Sequence, residues 1–374
     1  MDIYLDCNAS TPVDPTVVAA MRPYLATTYG NPSSGHWAAA PAKAALEHAR
    51  GQVADFLHCE PDEILFTSGG SEADNFAIKG IWFAKRYRGD HIITTQIEHP
   101  AVLNPCRFLE TLGARVTYLP VDSEGRVDPE GVRRAITPRT ILVSVMHANS
   151  ETGAIQPISE ISKIARAHGV TFHTDAAQSV GKIRTDVRDL GVDLLTVVGH
   201  KIYAPKGVGA LYVRRGVALE PLIHGAGHEV GRRAGTESVL LAVGLGAACN
   251  LAADLRPMRH VEALRDRLWR ALQETLGDAV LLNGREEGRL PNTLSVSFIG
   301  RRGSDVLARL EGVAASTGMA CHQGRPELSP VLKAMGIPEF VGLGAVRFSL
   351  GRHTTDEEID AAISQLKGIT AGRQ

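Results

Sequence analysis

Short apolar runs rich in β-branched residues alternate with longer amphipathic stretches between residues 60 and 215. The apolar runs predict β-strands at 63–67, 91–96, 115–119, 140–147, 171–175, 194–198 and 209–213. Residues 101–112 and 158–168 place apolar side chains at helical spacing. Because parallel strands need such crossover connections, the pattern predicts an α/β fold with a mostly parallel seven-stranded sheet flanked by helices.

The last third of the chain has a different pattern. Residues 239–249 are continuously apolar and predict a buried helix, and residues 257–276 predict a long helix with charges on one side. Strands at 292–298 and 344–350, followed by a capped helix start at Thr355, predict a smaller C-terminal α/β unit. At 374 residues the chain also exceeds the usual size of one hydrophobic core, so two packed domains with a cleft between them are expected.

Composition and charge exclude several classes of protein. Apolar residues make up 44% and charged residues 22%, which is ordinary for a globular protein and argues against disorder and fibres. The net charge of −1 and the lack of a basic run argue against a nucleic-acid partner. The apolar stretch 239–249 is shorter than the ~20 residues that span a bilayer, so no membrane association is expected.

The N-terminus and the cysteines favour a reducing compartment. The first residues lack the basic start and apolar run of a secretory signal, so a cytoplasmic location is expected. The five cysteines include no CxxC pair, which argues against a disulfide framework and against a metal site. One of these cysteines is therefore free to be reactive.

A turn at residues 66–72 (FTSGGSE) leads from a predicted strand into a helix that is expected to begin near Glu72. Such a turn exposes backbone N–H groups at a helix N-terminus and suits a phosphate, although an ordinary turn is the alternative. The sequence fingerprints of P-loops and of dinucleotide-binding folds are both absent.

Two further segments follow predicted strands. In 173–178 (HTDAAQ), Asp175 stands at the carboxyl end of a strand, where it can pair with a cationic nitrogen or simply cap a helix. In 199–201 (GHK), Lys201 lies in apolar surroundings that ease loss of its proton and formation of a Schiff base. A solvated or ion-paired lysine is the alternative.

A phosphate cradle, a carboxylate for a pyridinium nitrogen and a lysine amine are together the minimum that pyridoxal phosphate requires. With these segments the chain resembles the cysteine desulfurase and selenocysteine lyase family, which are fold-type-I pyridoxal-phosphate enzymes of the class-V aminotransferase group. The resemblance covers nearly the whole chain. The matching segments are 4–6, 30–34, 67–75, 98–99, 173–181, 199–212 and 346–355.

The resemblance implies a domain organisation and a set of site residues. It implies an N-terminal arm at 1–15 that joins the small domain, a large cofactor-binding domain at 16–255, and a small domain at 256–374. The cofactor contacts that it implies are Gly70, Ser71, His99, Ser150, Asp175, Gln178, His200, Lys201 and Thr236. It also implies substrate contacts by Arg347 and Asn149.

Particular roles follow from the same resemblance. His99 would lie over the cofactor ring and move protons, and Gln178 would hydrogen-bond the phenolic oxygen of the cofactor. Gly70, Ser71 and His200 match phosphate-contacting positions. Thr236 matches a residue that reaches the phosphate from a neighbouring subunit, which implies a homodimer. The planar guanidinium of Arg347 suits a bidentate grip on the substrate carboxylate, and an ion pair is the alternative.

Two positions depart from the family pattern. Ser150, in the segment 147–151 (HANSE), stands where the family commonly has an asparagine that contacts cofactor and substrate. Val198 stands where many bacterial desulfurases have a phosphate-binding serine, whereas selenocysteine lyases tend to be apolar there. The first departure changes an expected contact, and the second favours the lyase subgroup.

Cys321 is the cysteine expected to take the chalcogen atom. It lies in residues 316–324 (STGMACHQG), whose small residues suit a loop over the cleft, and the adjacent His322 would favour its thiolate. The other cysteines are expected to be small buried hydrophobes. The histidine after the cysteine, followed by 329–332 (SPVL), is similar to selenocysteine lyases.

The expected activity is removal of sulfur or selenium from L-cysteine or L-selenocysteine, giving L-alanine, with Lys201, Cys321 and His99 as the catalytic residues. A protein that accepts the sulfur or selenium is an expected partner. The alternatives are an aminotransferase or another carbon–sulfur lyase of the same fold, which would have no use for Cys321. A non-catalytic scaffold that binds pyridoxal phosphate is a third candidate.

Overall fold

The computed structural model describes residues 2–317 and 328–371. Its strands are β1 Ile3–Tyr4, β2 Ile64–Thr67, β3 His91–Thr95, β4 Arg115–Leu119, β5 Thr140–Ser144, β6 Thr171–Asp175, β7 Leu194–Val198, β8 Gly209–Val213, β9 Val280–Leu282, β10 Thr293–Phe298, β11 Val313–Ala314 and β12 Ala345–Ser349. Its helices are α1 Pro15–Met21, α2 Ala40–Leu57, α3 Gly70–Lys85, α4 Pro100–Glu110, α5 Pro129–Ala135, α6 Ile158–Ala167, α7 Val187–Leu190, α8 Val239–Ala253, α9 Arg256–Leu276, α10 Gly303–Leu307, α11 Pro330–Ala334, α12 Glu339–Gly342 and α13 Asp356–Ala371.

Seven of the described strands form one sheet in the order β2-β8-β7-β6-β5-β3-β4. Neighbours from β7 to β4 run parallel, whereas β8 is antiparallel to both β7 and β2. The predicted α/β class and the mostly parallel sheet are therefore confirmed. The strands β2, β7, β6, β5 and β3 all end at the same edge, because β2 and β7 are both antiparallel to β8.

Both faces of this sheet are covered by helices. Consecutive strand residues point to opposite faces, so that Leu142 packs in one apolar cluster with Phe76 of α3, and Val143 packs in another with Leu245 of α8. This burial on both sides explains why the strands are continuous apolar runs rather than alternating ones. The predicted strand at 140–147 ends earlier, at Ser144, although His147 still donates its N–H to the carbonyl of Asp175, at 2.8 Å.

The C-terminal residues build a second core. The antiparallel sheet β12-β10-β9 packs with α9 and α13, and the N-terminal residues Ile3 and Leu5 belong to the same cluster as Leu268 and Phe348. The short strand β1 pairs in parallel with β11. The N-terminal residues thus pack with the C-terminal part of the chain. The predicted domain boundaries stay predictions.

Among the described helices, none is by itself both long and apolar enough to cross a membrane. One pair, Val239–Ala253 with Arg256–Ala279, passes that test only when its two helices are joined across a bend of 71°.

Candidate active site

The carboxyl ends of four neighbouring strands bring predicted site residues to one edge of the large sheet. His99 follows β3, Asn149 follows β5, Asp175 ends β6, and Lys201 follows β7 in a single 3-10 turn, Gly199–Lys201. Since these strands run parallel, segments far apart in the chain meet there.

Lys201 has the environment of a reactive amine. Its Nζ donates to the carbonyl oxygens of Asn8, at 2.5 Å, and Ala9, at 2.8 Å. Burial, and then the positive charge of Arg347, lower the pKa of Lys201 to about 8. A substantial fraction of the amine is therefore neutral and nucleophilic slightly above neutral pH.

Asp175 and His99 interact electrostatically with Lys201 and with each other. Asp175 is 7% exposed and accepts a hydrogen bond from the Ala177 N–H at 2.8 Å. Burial raises the pKa of Asp175, while that hydrogen bond and the charges of His99 and Lys201 oppose the rise. A cationic ring nitrogen in this place would keep Asp175 ionised.

The hydrogen bonding of His99 assigns its tautomer. His99 caps α4, and its Nδ1 accepts from the Ala101 N–H at 3.1 Å. The proton of the neutral ring is therefore on Nε2. Burial lowers the pKa of His99, and Lys201 adds to the effect, whereas Asp175 opposes it. A neutral imidazole with an Nε2–H donor results.

The predicted phosphate cradle starts α3 two residues earlier than expected, at Gly70. Gly69 has a φ of 139°, a backbone conformation that favours glycine. The N–H groups of Gly70 and Ser71, in the first turn, have no acceptor within the helix and can bind an anion. A Cβ on Gly70 would lie 2.5 Å from Cγ2 of Val198, so the apolar side chain at 198 fills the space beneath the cradle.

His200 lies between Lys201 and the N-terminal arm. Its Nδ1 is 3.3 Å from Oγ of Ser10. Burial, and then the charges of Lys201 and Lys206, lower the pKa of His200 to about 4. His200 is therefore neutral at physiological pH.

The donor set fits pyridoxal phosphate. The free N–H groups at Gly70 and Ser71 suit the phosphate, Asp175 suits a pyridinium nitrogen, and the Lys201 amine suits the aldehyde. The charges of Lys201 and Asp175 affect each other's pKa, which supports placing the groups that bind the ring nitrogen and the aldehyde in one site.

Arg347 on β12 faces the same site from the second core. Its Nη2 donates to Oδ1 of Asp6 at 2.7 Å, and its Nη1 donates to the carbonyl oxygen of Ser150 at 3.1 Å. Its Nε is buried and has no hydrogen-bond partner among the described residues. Arg347 is thus held from two sides while retaining N–H groups for a substrate carboxylate.

Asn149 and Ser150 form a tight turn. Asn149 is fully buried, and its Oδ1 accepts from the N–H groups of Glu151, at 2.9 Å, and Thr152, at 3.0 Å, while its Nδ2 donates to the Ile97 carbonyl at 3.1 Å. The structure therefore gives Asn149 a structural role, and its predicted contact with substrate stays a prediction. The backbone carbonyl of Ser150 points to Arg347.

Thr236 is exposed and lines a cavity of about 280 Å³ together with Thr67 and Ser68. The loop before it is fixed by a buried ion pair in which Arg50 Nη1 lies 2.7 Å from Oε2 of Glu229. The exposed threonine thus lies in the loop that follows this ion pair, beside the start of α3.

The family model for class-V aminotransferases matches residues 3–362. The chain belongs to the class-V aminotransferase family. Among curated relatives, the cysteine desulfurase IscS of Dictyoglomus turgidum is 47% identical over 98% of this chain and 94% of its own length. Among solved structures, a NifS-like protein is 38% identical with a TM-score of 0.93, covering 99% of this chain and all of its own. The structure titled "SspA in complex with cysteine" has a TM-score of 0.85 and 38% identity, covering 94% of this chain and 100% of its own.

Cys321, the cysteine expected to take the chalcogen atom, lies outside the described residues, as does His322. Of the described cysteines, burial raises the pKa of Cys7 and Cys106 to about 12 and also raises that of Cys249. These three remain protonated and packed, as small hydrophobic side chains do.

Sequence reasoning missed two polar residues of this class-V site. Asn8 accepts from Lys201 through its carbonyl and donates through its Nδ2 to the Ser150 carbonyl at 3.1 Å. Lys182, which lies four residues after Gln178, is buried and donates a hydrogen bond to the side chain of Gln178. The one available signal for Lys182 was that a charged residue lies in a short segment of apolar and small residues. No local signal pointed to Asn8.

Proposed function

We propose that this protein is a pyridoxal-phosphate-dependent enzyme that removes sulfur from L-cysteine and leaves L-alanine. The observation that carries the proposal is the partly buried Lys201 amine, which donates to the carbonyl oxygens of Asn8 and Ala9, has a pKa lowered to about 8 and interacts electrostatically with Asp175. The curated relatives named cysteine desulfurase, and the neighbouring structure with bound cysteine, support this choice of substrate.

Lys201 has two tasks in this proposal. Its neutral amine would hold the cofactor by its aldehyde, and when Nζ is free it would accept the proton from the substrate α-carbon. Bound pyridoxal phosphate supplies an electron sink for the charge left on that carbon. Asp175 holds a proton at the ring nitrogen, which keeps that nitrogen cationic.

Arg347 and His99 would place the substrate and its protons. The substrate carboxylate binds to the N–H groups of Arg347 that Asp6 and Ser150 leave free. The Nε2–H of His99 would provide a donor on the cofactor side, and the lowered pKa of His99 keeps its ring neutral near neutral pH.

Cys321 supplies the nucleophile, an assignment that rests on the sequence around it. Its thiolate attacks the substrate sulfur, so that an S–S bond forms while the carbon–sulfur bond breaks. The bonding electrons stay with the three-carbon fragment, which becomes alanine after protonation, and a persulfide remains on Cys321.

Selenocysteine is the second candidate substrate, which Val198 and His322 favour. The carbon–selenium bond is weaker, so its cleavage depends less on Cys321. Alanine release by the Cys321→Ala variant decides between the two: persistence with selenocysteine and loss with cysteine identifies a lyase. Loss with both substrates identifies a desulfurase.

We also propose a homodimer in which the Thr236 loop completes the partner's phosphate site. Val230 on this loop is 86% exposed and has a φ of 56°, an unusual conformation for a β-branched residue. Trp37 is also 84% exposed. Light scattering measures the mass of the protein in solution. A monomer that binds one equivalent of cofactor contradicts the proposed dimer.

The persulfide would pass to a thiol of a second protein. Without an added thiol, alanine release should therefore stop after about one turnover per subunit. Continued release without a thiol excludes an enzyme-bound persulfide.

The proposed function is tested with Lys201→Ala and, as a matched control, Lys163→Ala at an exposed position of α6. The first variant should lose the absorbance of lysine-bound cofactor and about 10³-fold of alanine release, whereas the control keeps both. A colourless parent protein, or an active Lys201→Ala variant, rules the proposal out. Transfer of the amino group to a keto acid would identify an aminotransferase instead.

A further inference from the structure

A second lysine is buried beside the proposed cofactor lysine. Lys182 is 7% exposed, and its Nζ donates to Oε1 of Gln178 at 2.9 Å and to Oδ1 of Asn8 at 3.1 Å. Gly181, with a φ of 70°, turns the chain immediately before it, and a Cβ there would lie 2.8 Å from Cβ of Ala252. Gly181 thus packs closely against α8, and Lys182 is buried although burying an amine costs free energy.

The amide of Gln178 lies next to the amine of Lys201. Its Nε2 donates to the carbonyl oxygen of Asn8 at 3.1 Å, and the same oxygen accepts from Lys201 Nζ at 2.5 Å. The two nitrogen donors share one acceptor and are therefore neighbours at the site.

Lys182 decides which end of that amide faces the site. Lys182 donates to two amide oxygens, which both its charged and its neutral form can do, so it requires the oxygen of Gln178, and the Asn8 carbonyl requires the nitrogen. Because Nε2 carries two hydrogens and Asn8 uses one, the second N–H remains available to an acceptor at the site. If the Lys182 contact is removed, Oε1 loses the partner that fixes this orientation.

We propose that Lys182 is a positioning residue that fixes the Gln178 amide so that it offers an N–H donor to the phenolic oxygen of the cofactor. This inference rests on the proposed function, because it assumes a cofactor attached to Lys201. It adds a residue that binds neither substrate nor cofactor and acts through another side chain.

The charge of Lys182 also affects the site. Burial, and then the charge of Lys201, lower the pKa of Lys182 to about 7. The hydrogen-bond acceptors of Lys182 are neutral amide oxygens. The titratable and charged groups around it are Lys201, Cys7 and Arg347, and the narrow cavity beside it is also lined by Tyr203, Asp254 and Arg352.

The test compares Lys182→Met and Lys182→Arg with Lys163→Met, an exposed control. In the holoenzyme, absorbance is followed against pH to obtain the pKa of the lysine-bound cofactor nitrogen. A donor at the phenolic oxygen and a nearby positive charge both lower this pKa, so Lys182→Met should raise it by about one unit. Lys182→Arg, which keeps a donor and a charge, should restore most of the difference, and the control should match the parent.

A double variant separates positioning from charge alone. If Lys182 acts through Gln178, most of the shift caused by Lys182→Met should vanish in a Gln178→Leu background. An unchanged pKa in Lys182→Met, or a full shift in the Gln178→Leu background, overturns the proposal.

The apoprotein provides a readout that is independent of the cofactor. The pKa of Lys182 is about 7 in the folded state and ~10.4 in the unfolded state, so the unfolded state binds more protons between these values and stability rises with pH there. Lys182→Met and Lys182→Arg should both lose the part of this rise that Lys182 contributes, because neither side chain titrates between these pH values. A rise equal to that of the parent contradicts the buried amine itself, whereas a colourless parent holoenzyme contradicts the proposed function.

Discussion

The half of the site that would hold the cofactor and the half that would hold the substrate are built differently. Asp175 ends a strand of the large sheet, Lys201 and Gly70 each lie three residues after the end of another, and each belongs to a short segment with its own local pattern. Arg347 lies on β12 of the small sheet, and Asp6 reaches it from the N-terminal arm. The first half depends on local turns, whereas the second depends on long-range packing.

Asn8 connects the two halves. Its carbonyl accepts from Lys201 and Gln178, and its Oδ1 also accepts from Nδ2 of Asn292, at 3.0 Å, while its Nδ2 donates to Oγ1 of Thr293 at 2.9 Å. A single buried residue, through its backbone carbonyl and its side chain, thus ties the sheet edge to the second core. The two halves should therefore respond separately to substitution, except at this residue.

Arg347→Ala is expected to have the largest effect that is confined to one half, the half that would hold the substrate. Loss of the guanidinium removes the proposed carboxylate contact and leaves Asp6 unpaired, so kcat/KM for cysteine should fall by about 10²–10³-fold. The absorbance of bound cofactor should stay near that of the parent. Steady-state kinetics and spectra check both outcomes, and loss of the cofactor signal would show that the halves are not separable.

Asn8→Ala should disturb both halves together. It removes one buried hydrogen bond each from Lys182, Asn292 and Thr293, which costs about 3 kcal/mol of unfolding free energy at ~1 kcal/mol per bond. Denaturant unfolding measures the loss, and cofactor affinity and substrate KM should both worsen. The control, Asn104→Ala, removes an exposed asparagine and should change stability by less than about 0.5 kcal/mol.

Above pH 7, cofactor capture by the apoprotein should depend on pH mainly through Lys201. The neutral amine is the nucleophile, and the pKa of Lys201 is lowered to about 8, so the capture rate should rise about tenfold per pH unit below 8 and level off above it. Stopped-flow absorbance after addition of pyridoxal phosphate follows this rate. A plateau reached only near pH 10 would mean that burial does not lower the pKa of Lys201.

The smallest effect is expected at the phosphate cradle. Gly70→Ala places a Cβ 2.5 Å from Val198 Cγ2, so the start of α3 must shift and cofactor affinity should fall about tenfold. The double variant Gly70→Ala with Val198→Ala removes the clash and should recover most of the affinity. Equilibrium titration with pyridoxal phosphate measures the affinity of both variants. If the double variant does not recover affinity, the position of the backbone N–H groups, and not the space next to Val198, limits binding.

Much of the fold was predictable because its strands are buried on both faces and its crossovers are amphipathic. The seven predicted strands of the large sheet are confirmed, with differences of a few residues at their ends. The helix start at Gly70 rather than Glu72 was missed because the two glycines concealed it. Lys182 and Asn8 were missed because their importance lies in partners that are distant in the sequence.

By itself, the sequence determined the order of strands and helices and the segments that could bear a phosphate, a carboxylate and an amine, because these depend on periodicity and on local turn chemistry. Only the tertiary structure decided that Asn8 serves Lys201, that Lys182 holds Gln178, and that Asp6 pairs with Arg347. Such contacts follow from how two cores and a terminal arm pack, and neither the period of a helix nor that of a strand encodes them.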